Sequence, residues 1–436
     1  MRHKNTSIVM LLLITAISLT QCQKLRFPID KHDHDNNGKP TLLEEGQNIF
    51  RLDTYGDEDF WSGLLHIDKA IAGEKNGGFG AGVSPKTALA VGLKVDAEAL
   101  PAEVVSGISN GTVNLDDPAT TLTLLKLNAV VGIKGNFTDQ NTLKSIGITC
   151  AICHSTVDNS FAPGIGKRLD AWPNRDLNVG KIISLTDNAQ PIANLLHVDE
   201  ATLRTVLNGW GPGKFAAVLF MDGKALRPDG TVAANLIPAA FGLKGVDLAT
   251  YTGWGDISYW NAFVANLEMH GKGTFNDPRL NDPIKYPIAT ENQFYAVANS
   301  PDLITSKLPA LRAYQHSIKA PKPSKDSFDA AAAGRGRALF VNKAKCYTCH
   351  AEPLLTDNSL RDASEIGIDD FDAKRSPTGK YRTPPLGGLF ARAKGGFYHD
   401  GRFGTYIDVV EHYNDHLKLS LSASEKTDLV EYLKSL

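Results

Sequence analysis

Two five-residue runs could do chemistry by residue type and spacing: Cys150-Ala151-Ile152-Cys153-His154 and Cys346-Tyr347-Thr348-Cys349-His350. Each reads Cys-x-x-Cys-His, the attachment pattern for c-type haem. Two thiols about one helical turn apart can each add across one haem vinyl group. The adjoining His then offers a ring nitrogen to the iron as proximal ligand. A redox dithiol has no use for the trailing His, and a four-ligand zinc cluster needs a second Cys-x-x-Cys close by, which neither run has. The chain holds five cysteines, so the two runs use all but Cys22 and imply no structural disulfide. The spacing predicts two covalently bound haem c groups, one on Cys150, Cys153 and His154, the other on Cys346, Cys349 and His350.

The opposite face of each iron needs its own argument. Tyr406, Val409, Val410 and Tyr413 fall at i, i+3, i+4 and i+7, an amphipathic helix that Thr405 can cap. Tyr413 then points with the apolar face toward core and haem, and His412 lies about 100° away from it. A core aromatic with a bonded hydroxyl is the alternative reading of Tyr413. Of the four methionines only Met221 and Met269 lie beyond the N-terminal leader, and both precede residue 320. A potential-raising Met ligand is therefore not expected at the C-terminal haem. For the N-terminal haem, Ser258 can cap a helix bearing Trp260, Phe263, Val264 and Leu267 and ended by Gly271. His270 lies at the edge of that stripe, and Met269 points away from it. Lys167, 13 residues after His154, is a second candidate. An open sixth position is the third.

Three further segments carry a family likeness: Tyr381-Arg382-Thr383-Pro384-Pro385-Leu386, Gly396-Phe397-Tyr398-His399-Asp400-Gly401-Arg402 and Asp408-Val409-Val410-Glu411-His412-Tyr413. They resemble the C-terminal domain of bacterial di-haem cytochrome c peroxidases. They look still more like the related di-haem enzyme that matures the tryptophan tryptophylquinone cofactor of methylamine dehydrogenase. The resemblance covers both haem motifs and is most specific from about residue 335 onward; the region up to about 140 matches neither. The motif separation, 346 − 150 = 196 residues, is longer than in typical peroxidases and closer to the di-haem rubber oxygenases.

The resemblance implies specific roles. The Tyr413 position holds a Met ligand in the peroxidases and a Tyr ligand, suited to high-valent iron, in the maturation enzyme; this chain has the Tyr. Calcium between the domains is implied at Asn178 and at Lys394 and Gly396, whose positions serve through carbonyls. If Gly164-Ile165-Gly166-Lys167 matches the family's distal-His segment, Lys167 replaces that His. A Trp between the haems is implied, with Trp172, Trp210, Trp254 and Trp260 as candidates. Lys167, His270 and Trp260 are the expected catalytic residues, and the family's catalytic Glu has no assigned position.

These residues must be held by elements. Gly336-Arg337-Ala338-Leu339-Phe340 echoes Gly46-Gln47-Asn48-Ile49-Phe50, a short internal repeat. In the second copy a helix, favoured by Ala330 to Ala333 and capped by Ser327, leads into Cys346. In the first copy about a hundred residues separate Phe50 from Cys150, and these read as an insertion. It includes a helix starting at Asp117-Pro118 and stopping near Gly132. Ser422-x-x-Glu425 is a capping box for a final helix with Leu429, Val430, Leu433 and Leu436 on one face. Pro321 and Pro323 mark Ile318 to Ser327 as a linker. The fold expected is mainly α: two cytochrome c-like haem domains, the first with a large insertion. The divisions are 1–21 signal peptide, 22–40 polar tether, 41–320 N-terminal haem domain and 321–436 C-terminal cytochrome c domain.

Arg2 and Lys4 precede an apolar run, Ile8 to Leu19, too short to span a membrane and suited to an export signal. Leu19-Thr20-Gln21-Cys22 resembles a lipoprotein signal, with Gln21 the departure and Cys22 the lipid-anchor candidate. The protein is thus expected to be exported, periplasmic or membrane-anchored. Asp33-x-Asp35-x-Asn37-Gly38-x5-Glu44 spells a calcium loop, although Pro28 sits where an entering helix should run; a solvated tether is the alternative. With 42% hydrophobic and 22% charged residues and a net charge of −2, the chain has ample core and no basic excess for nucleic acid. The expected activity is oxidoreduction. One haem reduces hydrogen peroxide or another small oxidant, with electrons from a small cytochrome or cupredoxin. The alternatives are oxidation of a protein or organic substrate through high-valent iron, or non-enzymatic electron transfer.

Overall fold

The computed structural model describes residues 39–436. Helix outweighs strand, 41% against 11%. Among the described residues every strand belongs to a two-stranded ladder, so helices and loops, not a sheet, make the core. The expected leader, the tether and Cys22 lie outside the described residues, as do Asp33, Asp35, Asn37 and Gly38 of the calcium-loop pattern. Its last position, Glu44, serves as a helix cap: its carboxylate accepts from the Thr41 backbone N–H at 2.8 Å, completing a capping box with the Thr41 hydroxyl. No described helix is long and apolar enough to cross a membrane.

The short repeat is structural. Helix Leu42–Leu52 packs on helix Leu308–Ser317, and helix Ala330–Val341 packs on helix Ala423–Lys434. Each pair crosses at the repeat's glycine. A Cβ on Gly46 would sit 2.0 Å from the Ala310 carbonyl oxygen, and one on Gly336 would sit 2.0 Å from that of Asp428. Four residues on, one turn along the helix, each repeat places a Phe against a Tyr of the partner helix. Phe50 meets Tyr314 at 5.7 Å, and Phe340 meets Tyr432 at 5.1 Å. Each haem motif therefore follows, in sequence, the first helix of one such pair.

Between Phe50 and Cys150 the chain buries Trp61, Leu65, Leu124, Leu125 and Ile146 in a core that it shares with Leu177, Leu203, Trp210 and Trp260 from beyond the first motif. A hairpin of Ile133–Phe137 and Leu143–Ile148 runs straight into Thr149 and Cys150. The Thr149 hydroxyl donates to the Arg51 carbonyl at 3.1 Å, tying this motif to the end of the first helix.

Local signals fared unevenly. Thr405 and Ser422 cap their helices with full capping boxes. The Ala330–Val341 helix starts from Asp329, whose carboxylate accepts from two backbone N–H groups; Ser327 instead donates its hydroxyl to the Ser324 carbonyl. The helix after Asp117 ends at Lys126, before Asn128 turns left-handed at φ 52°, and not near Gly132. Asp256, not Ser258, caps helix Ile257–Phe263, since an ionised carboxylate accepts from the orphan N–H groups more strongly than a hydroxyl.

Candidate functional site

At the first motif, Ala151–His154 forms a single helical turn. The His154 ring donates from Nδ1 to the Pro238 carbonyl at 3.1 Å. A carbonyl only accepts, so this bond fixes the tautomer and leaves Nε2 as a bare lone pair. Burial pushes the His154 pKa down to about 4, so the ring is neutral, the form that binds iron. The second motif repeats the device. His350 donates from Nδ1 to the Leu355 carbonyl at 2.9 Å, and burial again lowers its pKa. Cys150, Cys153, Cys346 and Cys349 are free cysteines. Burial pushes the thiols of Cys150, Cys153 and Cys346 up to about 12 and raises that of Cys349. Two oriented imidazoles, each beside a pair of unbridged thiols, are a donor set that fits haem c.

Around the first motif, Tyr55 lies with its hydroxyl 4.0 Å from the Cys150 sulfur. Glu268 faces Cys153 closely enough for its charge to act on that thiol. Both Glu268 carboxylate oxygens are buried without a hydrogen-bond partner, and burial alone raises its pKa well above the usual range. Burial thus favours the protonated, uncharged form of Glu268. It ends a π-helical turn, Val264–Glu268, that follows helix Ile257–Phe263 directly. The wider turn resets the angular register, which explains two differences from the helical spacing. Met269 is buried in the cluster containing Phe50, Tyr55 and Ala151, not turned away. His270 takes φ 62° and stacks on Phe60, 3.6 Å between ring centres, with burial pushing its pKa to about 4.

Lys167 does not reach the site. Its side chain is exposed to solvent, with Nζ 3.7 Å from a Glu98 carboxylate oxygen. Trp260 is also corrected. It packs at 5.1 Å from both Trp254 and Phe263 in the core of the N-terminal part. Trp172 is the tryptophan at the junction, edge-on to Phe241 at 6.3 Å and to Phe390 at 5.7 Å. Its cluster draws Leu354 and Ala391 from the C-terminal part.

At the second motif, Tyr413 points inward as its helical position predicts. Burial pushes its phenol up to about 12, and Cys346 and Cys349 are among the groups that act on it. Its ring lies 6.4 Å from that of Tyr398. His412 and His416 turn the other way, donating to the carbonyls of Ile366 and Glu365 at 2.8 and 3.1 Å, so they anchor a loop.

At the positions expected to hold calcium the side chains are engaged otherwise. The Asn178 side-chain oxygen accepts from the Lys181 N–H at 3.1 Å as a helix cap. The Lys394 ammonium and that of Lys94 both converge on Asp176, the reverse of the charge Ca²⁺ needs. Gly396 takes a left-handed turn at φ 92°. Among the described residues no three His, Cys, Asp or Glu side chains cluster as a metal site.

The sequence reading missed Glu268 as an acid. The signal available was one carboxylate inside the apolar run from Phe263 to Met269.

No protein-family model matches the chain. The methylamine utilization protein MauG of Methylorubrum extorquens is 32% identical over 122 residues, 24% of this chain and 34% of that protein. MauG of Methylophilus methylotrophus is 31% identical over 126 residues, 24% of this chain and 36% of that protein. Over this stretch the chain is similar to MauG. The resemblance to the di-haem peroxidase and maturation-enzyme superfamily is thereby borne out, and the chain spans about a third of the length of these curated relatives. Among solved structures, a MauG-like protein associated with microbial copper homeostasis aligns with TM-score 0.32 and 18% identity over 50% of this chain and 76% of that one. Hydrazine synthase of Kuenenia stuttgartiensis aligns with TM-score 0.29 and 21% identity over 48% and 75%. Likeness at that level bears on neither fold nor function.

Proposed function

We propose that the protein is an exported di-haem c-type cytochrome of two cytochrome-like domains, 41–320 and 321–436, that reduces a small oxidant such as hydrogen peroxide. The electrons come from a small cytochrome or cupredoxin. Cys150, Cys153 and His154 hold one haem; Cys346, Cys349, His350 and Tyr413 hold the other. When bound, haem supplies the redox-active iron.

The observation that carries this reading is Glu268, a carboxyl beside Cys153 with both oxygens buried and without a hydrogen-bond partner, where burial favours the protonated form. Peroxide reduction, H₂O₂ + 2 H⁺ + 2 e⁻ → 2 H₂O, breaks one O–O bond and consumes two protons. A buried neutral acid can deliver a proton to the departing oxygen and recover it from solvent. Nearby in sequence, His270 stacks on Phe60, and the Tyr55 hydroxyl lies by Cys150 of the same motif. Trp172 supports electron passage between the two haems by its position at the junction.

The test is Glu268→Gln in the holoprotein. Peroxide consumption should fall by about 10²–10⁴-fold, the usual worth of a general acid, with two haems still attached. An unchanged rate at full haem content removes Glu268 from the chemistry.

Tyr413 favours a second reading, oxidation of an organic or protein substrate. An oxygen donor that can become anionic suits strongly oxidised iron better than a thioether does, and this is the side of the superfamily to which the MauG relatives point. A donor screen under peroxide separates the two: turnover with a reduced small redox protein supports the first, and oxidation of an added aromatic substrate the second.

A further inference from the structure

Three arginines, Arg175, Arg382 and Arg392, lack the partners their burial demands. Arg175 and Arg382 are 7% and 9% exposed. Arg175 has Nε and Nη1 buried without a hydrogen-bond partner, and Arg382 and Arg392 each leave Nε so. What partners exist are backbone carbonyls: Leu248 for Arg382, and Pro385 and Gly387, at 2.8 and 2.5 Å, for Arg392. No carboxylate acts on Arg382 or Arg392, while the three charges act on one another, Arg175 on Arg392 and Arg392 on Arg382. Burial, reinforced by that repulsion, pushes Arg382 down to about 9 and Arg392 to about 10. Unpaired buried guanidinium is costly, so such a group marks a site for an anion.

The trio also bridges the two motifs. The residue before Arg175, Asn174, donates its backbone N–H to the Cys153 carbonyl at 2.8 Å. The residue after Arg382, Thr383, accepts at 2.6 Å from the hydroxyl of Thr356, which follows the Leu355 that orients His350. Arg392 lies over the Phe241 ring at 5.5 Å, and that ring meets Trp172.

We propose that Arg175, Arg382 and Arg392 form one internal carboxylate socket between the two Cys-x-x-Cys-His turns, and that the carboxylates it takes are haem propionates. The inference rests on the di-haem reading. A planar guanidinium matches a carboxylate by two parallel hydrogen bonds, which is why arginine rather than lysine suits a buried socket. The trio then does more than hold the cofactor. Fixed positive charge beside haem favours the reduced state, and paired propionates stay ionised to lower pH.

The experiment is potentiometric titration of the purified holoprotein, wild type against Arg382→Gln, Arg392→Gln and Arg382→Lys, with haem counted by pyridine haemochrome. Both glutamine variants should retain two haems at lower midpoint potentials, and the pH dependence of those potentials should move to higher pH. Arg382→Lys, which keeps the charge, should recover part of the shift. A glutamine variant that loses haem while Arg382→Lys keeps it also supports the socket. Unchanged potentials and pH profiles in glutamine variants carrying two haems overturn the socket but leave the di-haem reading intact. No haem in the wild type overturns that reading itself. Adding acetate to the wild type separates the two carboxylate sources. A saturable shift in potential that the glutamine variants lack assigns the socket to a free carboxylate and overturns the propionate assignment.

Discussion

Single side chains here take their chemistry from what burial does to a charge. Tyr413 sits beside the second pair of thiols with a phenol held protonated to about pH 12 in the free protein; an iron would displace that proton. Tyr413→Phe should change the spin state or ligand of one haem and leave the other unaltered in the absorption and paramagnetic resonance spectra. An identical spectrum would place Tyr413 outside the coordination sphere. Asp57 gives a pH prediction. It is fully buried, Oδ1 has no partner, Oδ2 accepts from the Ile148 N–H at 3.2 Å, and burial pushes its pKa far above the usual carboxylate range, to about 9. A folded-state pKa raised above the unfolded one means the native state holds the extra proton. The stability this contributes is complete below about pH 4 and is lost as pH rises toward 9. Asp57→Asn should therefore raise the melting temperature more at pH 8 than at pH 4. Parallel pH profiles for variant and wild type would clear Asp57 of that dependence.

At the scale of elements, two glycines decide how two helix pairs meet. Gly336 lets helix Ala330–Val341 approach the Asp428 carbonyl so closely that any Cβ forces the helices apart. Gly336→Ala should cost about 1–3 kcal/mol, the usual range for overpacking, read as a fall in melting temperature. Spectral disturbance should stay with the haem of Cys346 and Cys349. Gly46→Ala should do the same for the other haem, and if each substitution disturbs both haems equally, the two pairs are not separate supports. The repeat was legible as five echoed letters, but its meaning was not. Only the opposing tyrosines, Tyr314 and Tyr432, show that each Gly and Phe belong to one contact, and they lie 264 and 92 residues from their phenylalanines (314 − 50 and 432 − 340).

Across the whole molecule an ion network joins the N-terminal part to the C-terminal part. Arg375 grips Asp222 through two bonds, 2.7 and 3.1 Å, with both side chains almost wholly buried. Arg227 reaches Asp372 at 2.9 Å and Asp369 at 2.6 Å, and Arg402 pairs with Asp400 at 2.7 Å. Removing one member strands a buried charge, so Asp222→Ala should cost about 3–5 kcal/mol. A melting temperature within a degree of wild type would show that water has already entered the junction. Burial works against ionisation of Asp400, but the hydrogen bond from Arg402 and nearby positive charge win, holding its pKa to about 2. With the folded pKa below the unfolded one, that contribution is present above about pH 4 and is lost as pH falls toward 2. Acid should thus loosen this junction while it leaves Asp57 protonated and at ease.

The sequence by itself determined the chemistry whose parts are chain neighbours. Cys150, Cys153 and His154 lie within one turn, as do their counterparts at Cys346, and the 3.6-residue period alone turned Tyr413 inward and His412 outward. The capping boxes at Thr405 and Ser422 were readable for the same reason, since donor and acceptor are three residues apart. What only the tertiary structure decided was which distant residues share a cavity wall or a junction. A π-helical turn reset the register after Phe263, brought Glu268 toward Cys153 and put Met269 into the core. Lys167 was drawn to Glu98 in solvent, a pairing invisible in the letters around His154. Trp172 became the junction residue over Trp260 because Phe241 and Phe390, one from before residue 320 and one from after it, both close on it. Arg175, Arg382 and Arg392, scattered over more than two hundred residues, come near enough in the fold for their charges to act on one another. Helical period and caps are local physics and are written in order; burial and charge pairing depend on partners that the chain meets only after it has folded.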